Sequence, residues 1–158
     1  MGVPAGDLGN AAHEWAARGD SVVVVYDDAR AVAVIALADT VSDEQARAIG
    51  RLRAMNVEPI IASGDHEAAV AAVAAKLGIG QWHSGCTPDE KVQLVAAAQN
   101  AGAAVAMVGD GVNDAAALAK SHLSMAMGTG TDVAASAADI VLLRASMSAA
   151  VDGLALAR

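Results

Sequence analysis

The chain has 158 residues, a formal net charge of −8 and 55% hydrophobic residues, yet only 2% aromatic residues. This length predicts one domain with a core of small side chains, and the acidic balance argues against nucleic acid as a partner. The one cysteine, Cys86, excludes an internal disulfide. Apolar runs fall far short of the roughly 20 residues that span a bilayer, so we expect a cytoplasmic chain without a direct membrane span.

Apolar periodicity and turn residues predict strands that alternate with helices. A helix at 7–18 precedes two β-rich runs, 22–26 and 31–37, which a turn at 27–30 joins into a hairpin. Ser42 caps the next helix, and Thr87, followed by Pro88 and two acids, caps a later one. The other elements are, in order, a strand at 57–62, a helix at 67–77, a short segment around Trp82, a strand at 103–108, a helix at 113–119, a strand at 122–126, a short helix at 131–137, a strand at 140–143 and a helix at 146–157.

This alternation is typical of an α/β fold, a Rossmann-like parallel sheet with helices on both faces. The uninterrupted apolar run at 103–108 agrees with a sheet that is buried on both sides. Ligands of such sheets bind beyond the carboxyl ends of the strands. Two strands deliver polar residues there, since Ser63-Gly64-Asp65 follows one and Gly109-Asp110 follows the other. We therefore expect one site at this edge.

The segment at 107–114 is the strongest indication of chemistry. It places Asp110 and Asp114 close together around a glycine turn, where two carboxylates would repel each other. A divalent cation removes that conflict, and Mg²⁺ takes one or two carboxylates together with waters and phosphate oxygens. A plain strand-to-helix turn with one Asp as a helix cap explains one acid, but not two acids, Asn113 and paired glycines. The pattern favours a site for Mg²⁺ and phosphate.

Other polar residues have two interpretations each. Ser63 and Gly64 could bind a phosphate oxygen at a helix N-terminus, or simply cap the helix. Lys91 lies in the first turn of a helix, where a cation opposes the helix dipole, so it either reaches solvent or faces an anion. His83 and Cys86 have a metal-like spacing but no second pair, and we assign them no metal. The Gly128-Thr129-Gly130-Thr131 stretch is interpreted as a structural turn rather than a phosphate loop.

Four segments together resemble the phosphorylation domain of P-type cation-transporting ATPases, in the heavy-metal (copper-type) branch of the haloacid dehalogenase-like superfamily. They are residues 107–119, residues 126–143, the Ser63-Gly64-Asp65 triplet and Pro88-Asp89-Glu90-Lys91. The resemblance implies a haloacid dehalogenase-like phosphorylation domain at 21–145. Residues 1–20 would then be a remnant of a nucleotide domain or a linker helix, and residues 146–158 a stalk-like helix.

The resemblance also implies the roles of the site residues. Asp110 and Asp114 would hold Mg²⁺, and Lys91 and Ser63 would stabilise the phosphoryl group. ATP would be the phosphoryl donor. The residues expected to bind the cofactor are Ser63, Gly64, Asp65 and Asn113. Ser63 stands where the family usually has Thr, and the hydroxyl survives that change.

The nucleophile signature of the family, Asp-Lys-Thr-Gly-Thr, is missing from this sequence. Asp27 or Asp28 could substitute for it, but both lie in the predicted hairpin turn. The family's central nucleophile strand lies between the strands that here end at Ser63 and Val108. We expect that these two strands close up, that residues 22–26 fill the gap, or that another polypeptide donates a strand. An isolated chain should be marginally stable or self-associate.

Three functions are compatible with these features. The first is a truncated or split fragment of a heavy-metal P-type ATPase, which supplies the Mg²⁺ and phosphate-stabilising part of the site at the cytoplasmic face of the membrane and is not competent alone. Its partner would carry the missing strand and the membrane helices. The second is a stand-alone Mg²⁺-dependent phosphatase of the same superfamily. The third is a non-catalytic Mg²⁺- or phosphate-binding regulatory module.

Overall fold

The computed structural model describes residues 6–28, 30–37, 41–109, 112–128, 136, 138–144 and 146–157. The helices are α1 (Gly6–Ala17), α2 (Asp43–Ala54), α3 (Glu67–Leu77), α4 (Pro88–Asn100), α5 (Ala115–Lys120) and α6 (Met147–Leu156), with a 3-10 helix (Val112–Asp114) before α5. The strands are β1 (Ser21–Asp27), β2 (Arg30–Leu37), β3 (Ile60–Ala62), β4 (Gln81–His83), β5 (Ala106–Gly109), β6 (Leu123–Met127) and β7 (Ile140–Leu142). The predicted α/β class is confirmed. The helix predicted at 131–137 lies, apart from Ser136, outside the described residues.

The predicted hairpin is present. Strands β1 and β2 pair antiparallel, and Asp28 in their turn has a positive φ of 51°. One face of the hairpin packs against α1, and the other carries exposed apolar residues, with Val23 directly opposite Ile35. Gly19, which ends α1 with a φ of 91°, lies so close to α3 that an added Cβ would come within 2.9 Å of the Ala68 carbonyl oxygen. The hairpin therefore belongs to a small unit built on α1 and α3.

The parallel strands form two separate sheets rather than one. Strand β3 pairs with β4, and β5 pairs with β6, which in turn pairs with β7. Within the described residues, β3 and β5 do not pair with each other, and residues 22–26 remain in the hairpin. Two of the three outcomes expected for the gap, closure of the strands and filling by residues 22–26, are therefore wrong for this part of the chain.

Two strands begin later than predicted because the preceding helices end in hydrogen-bonded turns. The Val57 N–H donates to the Leu52 carbonyl, and Asn56 has a φ of 55°, so Val57 completes the end of α2. Likewise the Ala103 N–H donates to the Ala98 carbonyl and closes α4. Each helix end uses the backbone groups that a longer strand would have offered to its neighbour.

The core is divided between the two sheets. Helices α2 and α3 pack on β3 and β4, whereas α5 and α6 cover opposite faces of the β5–β6–β7 sheet. The first cluster comprises Ile49, Ala74 and Ile79 with Ile61, Leu52, Leu77 and Trp82 around them. The others are Leu118 and Ala126 with Met107 on the α5 side, and Met125, Leu142 and Ala150 with Val108 on the α6 side. The prediction of helices on both faces is confirmed for this sheet.

Polar contacts between α2 and α6 join the two sheets. The Glu44 carboxylate accepts a 2.6 Å hydrogen bond from the Ser148 N–H, and Arg51 contacts the Asp152 carboxylate at 2.7 Å. The Ser148 hydrogen bonds hold the pKa of Glu44 below the usual range of a glutamate. In the described part of the chain, none of the helices is long and apolar enough to cross a bilayer.

Candidate functional site

Helix α4 begins with a complete capping box that fixes the position of Lys91. The Thr87 hydroxyl accepts from the Glu90 N–H at 3.3 Å, and the Glu90 carboxylate accepts from the Thr87 N–H at 2.7 Å. Pro88 occupies the first helical turn, where a missing N–H costs no hydrogen bond. The backbone hydrogen bond from Thr87 is the main reason that the pKa of Glu90 is lowered. Lys91 is thus presented on the first turn of a well-defined helix.

Lys91 faces an anion rather than solvent. Its Nζ lies 2.7 Å from Oδ1 of Asp114, and the two side chains are only 13% and 10% exposed. Removing both charges from water costs free energy. A buried pair of this kind is therefore stable only when its geometry is favourable and further hydrogen bonds satisfy the remaining polar atoms. Lys91 has three N–H donors, of which one serves Asp114. The remaining donors can serve a second anionic group.

Asp114 reaches this position because Gly109 has no side chain. A Cβ added to Gly109 would lie 2.7 Å from Cβ and 2.9 Å from Oδ2 of Asp114, closer than real atoms approach. Asp114 precedes α5 in the cap position but makes no capping hydrogen bond there. The simple helix-cap interpretation is therefore wrong for this acid. The sequence predicted Gly109 only as a turn residue, and its steric role was missed. The position of Gly109 directly before Asp110 was the one feature of the sequence that could have indicated this role.

The loop after β3 is tied to the start of α4. The Cys86 N–H donates to the Ser63 carbonyl at 2.9 Å, and the Gly85 N–H donates to the Asp65 carbonyl at 2.8 Å. Within the loop, the Ser63 hydroxyl donates to the Asp65 carboxylate at 2.8 Å. Cys86 and Thr87 thus connect this loop to the helix that carries Lys91. The described hydrogen bonds of the Ser63 hydroxyl stay within its own loop and do not reach Lys91.

The remaining candidate residues are either exposed or outside the described part of the chain. Asn113 in the 3-10 helix is exposed, as are Gly64 and Asp65. Asp110 lies outside the described residues, and so do Gly111 and Thr129 to Thr131. Gly128 packs against the Leu142 carbonyl, and the interpretation of the Gly128 to Thr131 stretch as a structural turn stays a prediction. Asp27 and Asp28 lie in the hairpin, as the sequence predicted, where Asp27 pairs with Arg30.

The side chains around Asp114 can be compared with the ligands that Mg²⁺ prefers. Among the residues that the structure describes, no three His, Cys, Asp or Glu side chains converge, so His83 and Cys86 form no metal cluster there. Asp114 supplies a buried carboxylate, the hard oxygen ligand that Mg²⁺ prefers. Its Oδ2 lies against Gly109, the residue that precedes Asp110 in the sequence. Asp114 is therefore suited to be a Mg²⁺ ligand, whereas the metal-binding role of Asp110, which lies outside the described residues, stays a prediction.

The sequence model of the haloacid dehalogenase-like hydrolases matches residues 4–122. The chain belongs to this family. It is 43% identical over 151 residues to the probable copper-exporting P-type ATPase V of Mycobacterium tuberculosis, a match that covers 96% of this chain and 20% of that protein. It is 37% identical over 145 residues to the copper-exporting P-type ATPase of Bacillus subtilis, covering 92% of this chain and 18% of that protein.

A solved structure extends this likeness to the fold. A zinc-transporting PIB-type ATPase in its E2.Pi state superimposes with a TM-score of 0.82 at 38% identity, over 98% of this chain and 25% of that chain. The resemblance to heavy-metal P-type ATPases is confirmed. The haloacid dehalogenase-like chain spans about a fifth of the length of the curated relatives it matches. The P-type ATPases of the haloacid dehalogenase-like family, which this chain resembles, use Mg²⁺ and ATP.

Proposed function

We propose that this haloacid dehalogenase-like chain supplies the Mg²⁺- and phosphate-stabilising part of the phosphoryl-transfer site of a heavy-metal cation-transporting P-type ATPase. On this proposal it works at the cytoplasmic face of a membrane and is not competent alone. The observation that carries the proposal is the buried contact between Lys91 and Asp114. The relatives' names include copper and zinc transporters, so the proposal covers heavy-metal cations as a class.

Each residue has a task in this site. Asp114 and Asp110 would hold Mg²⁺, which would supply positive charge to the phosphoryl oxygens. Lys91 donates one N–H to Asp114. Its other donors would bind a phosphoryl oxygen, so that its charge would stabilise the group in transfer. The Ser63 hydroxyl and the Gly64 N–H would bind a further oxygen, after the Ser63 hydroxyl leaves Asp65. Gly109 keeps Asp114 in place.

The transfer step itself needs a group that the described site does not contain. A carboxylate oxygen would attack the γ-phosphorus of ATP, form an acyl phosphate and release ADP as the bond to the bridging oxygen breaks. Asp27 and Asp28 are engaged in the hairpin turn, and no described hydrogen bond or ion pair joins either of them to Lys91. No observation therefore favours the stand-alone phosphatase over the proposed role.

Calorimetric titration with inorganic phosphate, with and without Mg²⁺, tests this proposal. We expect Mg²⁺-dependent binding that Lys91→Met weakens at least tenfold, because the ammonium is the cation next to Asp114. Lys120→Met is the matched control, since Lys120 is exposed at the end of α5. Circular dichroism would confirm that both variants fold. Binding that ignores Mg²⁺, or that falls equally in both variants, would refute the proposed site.

A second measurement tests the statement that the chain is incomplete. After incubation with γ-labelled ATP and Mg²⁺, acid quenching would trap any acyl phosphate. We expect no label on the chain alone. Label that Asp27→Asn or Asp28→Asn removes would show a nucleophile within the hairpin and would favour the stand-alone phosphatase instead.

A further inference from the structure

The last turn of α4 is attached to the last residue of α5. The side-chain amide of Gln99 donates to the Lys120 carbonyl at 2.8 Å. A helix leaves its last carbonyls without partners of its own, and this hydrogen bond satisfies one of them. The backbone of Gln99 is itself held in a turn, because its carbonyl accepts from the Gly102 N–H at 2.9 Å. Gln99 therefore joins the carboxyl ends of the two helices.

His122 contacts the same amide and the residue before β5. Its Nδ1 accepts from the Val105 N–H at 3.1 Å and lies 3.4 Å from Nε2 of Gln99. A backbone N–H can only donate, so Nδ1 carries a lone pair and the proton of the neutral ring is on Nε2. The Val105 carbonyl accepts in return from the N–H groups of His122 and Leu123. The neutral imidazole thus connects the starts of β5 and β6 with the end of α4.

The contact between Lys91 and Asp114 lies at the other end of the same pair of helices. Lys91, Val95 and Gln99 follow one another at four-residue spacing, so they lie on one face of α4. Asp114 directly precedes α5, and Lys120 is its last residue. Eight residues of helix rise by about 12 Å, so α4 is attached to α5 at two points separated by roughly that distance.

The packing between these two points is made of small side chains. Residues 96–98 of α4 and residues 115–117 of α5 are all alanines. Helices resist sliding where the side chains of one fit into the grooves of the other, and a methyl group forms only a shallow ridge. The hydrogen bonds at the ends must therefore contribute to the position of α4 along α5. Since Lys91 meets Asp114 only when that position is kept, the Gln99 contact supports the pair from a distance.

We propose that Gln99 and His122 are positioning residues, which hold Lys91 against Asp114 while the imidazole is neutral and loosen this contact when the imidazole binds a proton. A protonated ring carries an N–H at Nδ1, where it opposes the Val105 N–H and competes with Gln99 for the Lys120 carbonyl. His122 is exposed, so its ring exchanges protons with solvent. Imidazoles titrate between about pH 5 and 8, and the contact is held at the alkaline end of this range. Weaker phosphate binding in acid follows, a consequence that rests on the proposed function.

The charged groups around His122 are few. The described strands β5 and β6 and residues 92–100 of α4 carry no charged side chain. On α5, Lys120 is exposed two positions before His122. On the far side of β6, the Ser124 hydroxyl and N–H donate to the Asp139 carboxylate at 2.7 and 2.9 Å and lower the pKa of Asp139. Asp139 therefore stays ionised over the range in which an imidazole titrates, and the response belongs to His122.

NMR spectroscopy of the full chain tests this proposal without phosphate. Long-range proton–nitrogen spectra identify the tautomer of His122, and the carbon shift of the Asp114 carboxylate reports on its contact with Lys91. The shift in Lys91→Met is the reference for a carboxylate that has lost its partner. We expect the proton of neutral His122 on Nε2, and an Asp114 shift that moves towards this reference as His122 titrates. A proton on Nδ1 of the neutral ring, or an Asp114 shift that ignores the titration, would overturn the proposal.

Matched variants separate positioning from a merely structural role. His122→Asn places an amide oxygen where Nδ1 accepts but binds no proton, so Asp114 should keep its paired shift over the whole pH range. Gln99→Ala should give a shifted Asp114 signal at every pH, and circular dichroism would show that both variants fold. His66→Asn is the control, because His66 is exposed at the start of α3 and makes no capping hydrogen bond with its side chain. A pH response that survives in His122→Asn, or that disappears in His66→Asn, would refute the assignment to His122.

Phosphate binding distinguishes failure of this inference from failure of the proposed function. The affinities of the original chain and of His122→Asn are compared as a ratio, because the titration of phosphate itself is common to both. We expect this ratio to fall about fivefold or more from the alkaline to the acidic end of the range. A ratio that stays constant while binding depends on Mg²⁺ and Lys91 would refute this inference alone. An Asp114 shift that follows His122, with phosphate binding that ignores Lys91→Met, would support the positioning role and refute the proposed function.

Discussion

The contact between Lys91 and Asp114 predicts strong energetic coupling between the two residues. At a separation of 2.7 Å, their gross attraction is about 6 kcal/mol at an effective dielectric constant near 20. Because both side chains are largely buried, Lys91→Met or Asp114→Asn leaves an unpaired charge and should cost about 3–5 kcal/mol of unfolding free energy. The double variant removes both charges, so its cost should fall short of the sum by roughly 2–3 kcal/mol.

Urea unfolding followed by circular dichroism measures this coupling. All four proteins are compared at pH 7 in the same concentration of trimethylamine N-oxide, which keeps the weaker variants folded. The pair Arg51 and Asp152 provides the control cycle, because its side chains are 49% and 61% exposed. Exposed pairs typically couple by less than about 1 kcal/mol. A coupling between Lys91 and Asp114 no larger than that control would refute the description of a buried pair.

The structure also predicts the direction of the effect of three further substitutions. Gly109→Ala should displace Asp114, cost about 1–3 kcal/mol in urea unfolding and abolish Mg²⁺-dependent phosphate binding; unchanged phosphate binding would contradict this. Thr87→Ala removes the cap of α4 and should cost about 0.5–2 kcal/mol in the same assay. The pKa of Glu44 is lowered in the folded chain, mainly by a hydrogen bond from the Ser148 hydroxyl. The ionised Glu44 therefore stabilises the folded chain at pH values above its unfolded pKa, and this stabilisation is lost as the pH falls through its folded pKa. Glu44→Gln should therefore destabilise the chain at neutral pH. Urea unfolding at a series of acidic pH values should also show that the unfolding free energy of the variant falls less steeply with decreasing pH.

The local elements were predictable because their signals lie within a few residues of one another. Capping by Ser42 and Thr87, and the hairpin turn at Asp28, follow from side chains that act on the adjacent backbone. The strand starts were wrong where a helix end claimed the same backbone groups, as at Val57 and Ala103. That competition depends on how the chain turns, which apolar periodicity does not encode.

The candidate site was predictable in its residue types and less so in its contacts. The sequence allowed Lys91 either to reach solvent or to face an anion. Only the folded chain shows that it contacts Asp114. The steric role of Gly109 depends on the distance between segments five residues apart around a turn. The hydrogen bond of Ser63 to Asp65 was not expected either, because a phosphate oxygen and the N-terminus of the following helix were the two partners considered for Ser63. The metal-binding role of Asp110 stays a prediction.

The division of the core into separate clusters has a consequence for the order of folding. Each sheet buries its own cluster, so each can form as a cooperative unit before the other. The contacts that then dock the units join residues far apart in the chain, with Glu44 and Ser148 separated by 104 positions. Closing so long a loop costs chain entropy before any contact compensates for it. Docking of α6 onto α2 should therefore be the last and slowest step of refolding.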